Sequence, residues 1–189
     1  MKFRRIFVEK GDCRLWSSIG ALQGFSKPVD VFKNLFDQWN DTAYLYQFFQ
    51  AYAADLADPF WRGMSIDEAI DQVRQEALDF EIELRNMDTG HPAYGPEALS
   101  NIFQFFDKDM YLLQGNNLHH KKAKPDLQDS MIRIYAAEFD GAYIVTGGLL
   151  KLTKQLTPDA AAFEKAKMKR VLQYLKSEKV YSRLDLDTI

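Results

Sequence analysis

The side chains best suited to chemistry in this 189-residue chain crowd into its last third. Arg133 and Tyr135 stand two apart in an apolar run. Lys151 and Lys154 follow a Gly147-Gly148 pair, and His119-His120-Lys121-Lys122 and Lys124 precede them all. Lys165, Lys167, Lys169 and Arg170 close the set. Residues 108–183 carry 14 Lys and Arg against 8 Asp and Glu (+6), and residues 1–107 carry 10 against 17 (−7). With Asp185 and Asp187 the net charge is −3. A basic half of this kind suits an anionic partner, although two solvated faces of opposite sign would serve solubility equally well. Adjacent histidines alternate in direction and make a poor metal pair, and no other ligand cluster accompanies them. Cys13 reads as a small strand residue with no histidine near it in sequence. Gly147-Gly148 lacks the spacing of a phosphate loop and reads as a backbone bend. Lys165, Lys167, Lys169 and Arg170 read either as a solvated helix face or as a nucleic-acid contact.

The elements that must position these groups follow from pattern. Residues 131–139 are strand-like, and Asp140-Gly141 predicts a two-residue hairpin, because a type I′ turn needs positive φ at both central positions. Residues 142–146 return as the partner strand, Gly147-Gly148 marks a bulge or bend, and residues 149–154 continue extended. Alternation then puts Arg133 and Tyr135 on one face and Ile132 and Ile134 on the other. In that extended segment Lys151 and Lys154 face opposite sides unless the glycines shift the register. Thr157-Pro158 predicts an N-cap with proline at the first helical position, opening a helix to about Ser177 that buries Ala161, Met168, Leu172 and Leu175.

Upstream, residues 2–8 and 13–19 predict two strands joined by a turn at Gly11-Asp12, and Gly20 to Pro28 reads as a loop. A short helix ending near Asn40 and a second from Asp41 or Thr42 to Leu56 follow. Ser65 with Glu68 forms a capping box that opens a long helix. Its apolar stripe runs from Ile66 to Met87 and its outer face carries Asp71, Glu76, Asp79 and Glu83. A short helix spans Leu99 to Phe106, and residues 107–129 read as a mobile basic loop.

Hydrophobic residues make up 47% and aromatics 14% of the chain, enough for a buried core and against wholesale disorder. One domain over residues 1–189 is expected at this length, with an α+β fold in which a small twisted, mostly antiparallel sheet packs on helices. A single cysteine, no signal-like apolar run and no stretch long enough to span a bilayer lead to the expectation of a cytoplasmic protein without membrane association.

The order of features in the last third resembles the C-terminal portion of the RelE/HigB-type toxins of bacterial toxin–antitoxin pairs. The matching residues are Arg133 and Tyr135, Tyr143 to Val145, Gly148, Lys151 and Lys154, Thr157-Pro158, then Ala166, Arg170 and Tyr174. The match covers about 50 residues. Members of the family are usually about half as long and basic overall, so residues 65–106 read as a helical insertion. The resemblance implies an endoribonuclease that cleaves mRNA at the ribosome without metal or cofactor and is neutralised by a small helix-turn-helix antitoxin. It implies catalytic roles for Arg133 (phosphate clamp), Tyr135 (base stacking or hydrogen bonding), Lys151 and Lys154 (positive charge) and His120 (proton transfer). Lys121, Lys122, Lys124, Lys169 and Arg170 would contact RNA. A non-catalytic protein-interaction module on the same fold is the alternative.

Overall fold

The computed structural model describes residues 1–7, 13–20, 27–106, 118–127 and 129–189, with residue 118 described by its backbone alone. The predicted Gly11-Asp12 turn, most of the Gly20–Pro28 loop and residues 107–117 of the basic loop lie outside the described residues.

Seven strands form one mixed, mostly antiparallel sheet: β1 (Lys2–Arg5), β2 (Leu15–Gly20), β3 (Val29–Asp30), β4 (Gln104–Phe105), β5 (Leu118–Ala123), β6 (Ile132–Phe139) and β7 (Ala142–Leu150). Their order is β1-β2-β7-β6-β5-β4, with β3 paired to β2. The β2–β7 pairing is parallel and joins the N-terminal strands to the C-terminal hairpin. The fold is therefore α+β, as the sequence predicts.

Helices cover both faces. α1 (Val31–Asn40), α2 (Thr42–Ala51), the short α3 (Ala53–Leu56), α4 (Ile66–Asp88) and α5 (Ala98–Ile102) pack on one side around Trp39, Phe49, Phe80 and Phe103. α6 (Pro158–Ser177) covers the other side with Met168, Val171 and Leu175, over Trp16, Tyr135 and Ile144. Among the described residues no helix is long and apolar enough to cross a membrane.

Local chemistry sets the ends of these elements. Asp41 caps α2 by accepting from the N–H groups of Ala43 and Tyr44, and Ser65 and Glu68 form the capping box of α4. Thr157 caps α6, with Pro158 at its first position. Asp140 and Gly141 both take positive φ, 47° and 73°, in the predicted hairpin turn. The β6–β7 register slips between Tyr135 and Ala136, leaving Thr146 as an extra residue before the glycines. Gly148 is obligatory there, since a Cβ would sit 2.7 Å from the Arg133 carbonyl oxygen.

Several expectations need correction. The predicted helix from residue 42 to Leu56 breaks at Tyr52 into α2 and α3. Residues 118–123, read as part of a basic loop, form β5, because β6 offers them a full ladder despite their polar character. α4 buries its apolar stripe as expected, with Val73, Ala77, Phe80 and Leu84 fully enclosed in the main core. Glu76 does not lie on its outer face: it is 2% exposed and accepts from Ser130 Oγ and from the Met131 and Ile132 N–H groups. After Leu150 the chain bends instead of continuing extended.

Candidate functional site

β6 positions the site. Its start is fixed by Glu76, whose carboxylate absorbs the N–H groups that open the strand. Ile132 and Ile134 then enter the α1/α2/α4 core, while Arg133 and Tyr135 face the opposite way, the alternation the sequence predicts. Register brings Lys122 of β5 directly opposite Tyr135, and Leu149 of β7 opposite Arg133. The bend after β7 folds Lys151 and Lys154 back together, with Lys151 Nζ donating to the Lys154 carbonyl at 2.6 Å.

The result is a cleft of about 750 Å³ at the open end of β5. Five cationic side chains line it: Lys122, Lys124, Arg133, Lys151 and Lys154. Phe106 and Tyr135 supply an aromatic wall with ring centroids 5.3 Å apart, and Glu83 and Asp126 add two carboxylates. Arg133 Nη1 donates to the carbonyls of Ser130 (2.8 Å) and Ile132 (2.6 Å), which fixes the guanidinium at the cleft wall. Burial lowers the proton affinity of Arg133, against the opposing influence of Tyr135 and Glu76. Lys151 is also pulled below its ordinary value, first by burial and then by the charges of Arg133, Lys122 and Lys124. These cations therefore feel one another. Glu83 is shifted up by burial and by the charge of Asp126.

Six of the ten predicted site residues thus share one cleft: Arg133, Tyr135, Lys151, Lys154, Lys122 and Lys124. The other four lie elsewhere. Lys121 alternates to the opposite face of β5, where it is 6% exposed and pairs with Glu138 at 3.0 Å above the Phe105 ring. Such a buried, paired ammonium is withdrawn from any nucleic acid. Lys169 and Arg170 are exposed on α6, outside the cleft lining. His120 sits opposite Ala137, two residues along β5 from Lys122 and on the same face, but it does not line the cleft.

Tyr135 needs a correction of role. At 3% exposure its ring belongs to the core under α6, so it is a wall and not a platform for a stacked base. Burial, then the Glu164 charge, raises its hydroxyl far above the usual range, which keeps it protonated. Half-buried Phe106 is the ring that faces the cleft. Cys13 is buried and its thiol is pushed up to about 12, mainly by burial, so it is no nucleophile.

Sequence reasoning missed Phe106, Glu83 and Asp126. The first read as helix core, the second as a solvated helix face and the third as loop. Only the pairing of β4 with β5 and the packing of α4 beside them gather the three around one opening. Among the described residues no group of three or more His, Cys, Asp or Glu is placed to hold a metal ion. No family model matches the chain, and no curated protein and no solved structure matches it.

Proposed function

We propose that the chain is a RelE/HigB-like toxin, an endoribonuclease that cleaves mRNA without a metal and is held in check by a small helix-turn-helix antitoxin. One observation carries this reading: Arg133, Lys151 and Lys154, which the resemblance nominates as a group, open into one cleft together with Lys122 and Lys124. Such a cleft suits a phosphodiester whose charge grows during reaction. The ribose 2′-oxygen attacks phosphorus and loses its proton, and the P–O5′ bond breaks. The 5′-oxygen takes up a proton, leaving a 2′,3′-cyclic phosphate. Arg133, Lys124 and Lys154 neutralise the developing charge. Lys151, which burial and its cationic neighbours hold below the usual lysine range, adds to that positive charge, and solvent water takes up the 2′ proton. His120, two residues along β5 from Lys122 and on the same face, is the group the resemblance nominates for proton transfer.

Inducing the wild-type chain is expected to arrest growth, with 5′-end mapping revealing cuts in translated mRNA. Lys151→Ala with Lys154→Ala should relieve the arrest while the far-ultraviolet circular dichroism stays unchanged. Arg133→Ala serves as a second variant, since it also loses bonds to backbone carbonyls. Harmless expression with intact mRNA on translating ribosomes would sink the nuclease reading. The alternative, a non-catalytic interaction module, draws on Tyr44, Tyr46, Tyr52 and Phe60, each exposed on α2 or shortly after it. It predicts a stable protein complex and no cut RNA.

A further inference from the structure

The basic cleft is not uniformly basic. Glu83, from the C-terminal half of α4, and Asp126, just past β5, line the same opening as Lys124, Arg133, Lys151 and Lys154. Among the described residues none of these six pairs with an opposite charge within 4.0 Å. Lys124 and Lys151 donate instead to main-chain carbonyls, of Leu127 and Lys154. Arg133 likewise spends Nη1 on carbonyls. Opposite charges free to collapse onto each other across a surface usually do so. Here the fold holds both signs around a cavity of about 750 Å³, which is room for a nucleotide. A ligand that satisfies both must present an anion at one end and hydrogen-bond donors at the other. Phe106 lines the same opening, with Tyr135 and the ammonium groups of Lys122 and Lys165 against its ring.

Resting on the ribonuclease reading, we infer that the cleft is base-selective. Glu83 and Asp126 accept hydrogen bonds from a donor-bearing base edge of single-stranded RNA, and the cations hold its phosphate. Guanine, with an imino N–H and an amino group side by side, matches a carboxylate bidentately. Cytosine offers one amino group, and uracil presents two carbonyl oxygens that a carboxylate repels. The ring would stack on Phe106, which favours any base alike and so adds affinity without choice. The carboxylates alone discriminate. Glu83 is shifted up by burial and by Asp126, which marks a pair that is crowded until donors arrive.

The test uses the full chain and 2′-O-methyl tetranucleotides, which bind but lack the attacking hydroxyl, in fluorescence anisotropy. A guanine-containing oligomer should bind about tenfold or more tightly than its all-uridine counterpart. Glu83→Ala with Asp126→Ala should erase that ratio while leaving the uridine oligomer bound at least as tightly. Asp79→Asn, exposed on the same helix and outside the cleft, should leave the ratio intact. Equal binding of the two oligomers by the wild type overturns the base-reading assignment. So does loss of the ratio in Asp79→Asn, or its survival in the double variant. Failure of the parent reading looks different: neither oligomer binds, or cleavage on ribosomes is absent although selective binding persists.

Discussion

Lys151 shows how a single residue reports on the site. Burial and the neighbouring cations lower its proton affinity in the free protein. The unfolded chain therefore binds more protons than the folded one between that lowered value and the unperturbed value near ~10.4. Over that window this residue's contribution to stability rises with pH. A bound phosphate cancels part of the repulsion and draws a proton back onto Lys151, so binding consumes protons and weakens as pH rises through the window. Calorimetric titration of an oligonucleotide in buffers of different ionisation enthalpy, at a pH within that window, should register net proton uptake by the wild type. Lys151→Ala should register none, and uptake that persists in that variant would assign it to another group. The same scale shows why the lysine run was only half legible. Lys121 and Lys122 are identical in type and adjacent, yet one is sealed against Glu138 and the other lines the cleft. Alternation separates them as soon as a strand is known, but His119-His120-Lys121-Lys122 has no apolar partner residues to announce a strand.

At the scale of elements, the features set by nearest neighbours were readable. The capping box of α4, the Asp-Gly turn, the Thr-Pro start of α6 and the shared face of Arg133 and Tyr135 all follow from local stereochemistry. What depends on a distant segment was not. Glu76 occupies a helical position like any solvated acid, and only the arrival of β6 makes it the acceptor for two backbone N–H groups and a hydroxyl. Glu76→Ala should cost about 3 kcal/mol or more in urea unfolding, because each orphaned buried donor costs ~1–3 kcal/mol. It should also loosen Arg133, which follows directly. The two glycines of β7 separate in the same way. Gly148→Ala drives a Cβ to 2.7 Å from a backbone oxygen and 2.9 Å from Leu35, with an expected loss of about 2 to 3 kcal/mol. Gly147→Ala meets the mobile end of Lys167 together with Glu164, so a smaller loss is expected there. Equal losses would mean that Arg133's strand yields more easily than its ladder implies.

For the whole molecule, the uneven charge along the chain pointed to the right half but not to the finished opening. Four of the five cleft cations lie within residues 122–151 and the fifth is Lys154, as the charge count suggested, yet the opposing carboxylates come from both halves. On the ribonuclease reading proposed above, RNA binding at a site of that composition should show a strong but bounded salt response. If about four phosphates are neutralised, log affinity should fall against log salt with a slope of roughly −3. A slope near zero, measured by anisotropy between low and moderate salt, would mean that the cations of the cleft do not meet the backbone.

The parallel pairing of β2 with β7 has a consequence for how the chain comes into being. Ser18 Oγ donates to the Val145 carbonyl at 2.9 Å across 127 residues of sequence. On a ribosome adding 5–20 residues per second, the first hairpin therefore waits on the order of ten seconds for the strand it must lie beside. During that interval the acidic half of the nascent chain has its helices but not the sheet they cover. Ribosome-stalled chains that end before β7 should be digested by protease throughout their first hairpin, and chains with α6 outside the exit tunnel should resist it. Maturation would then be a late, all-or-none event, and the cleft would be assembled only once β7 and α6 have emerged.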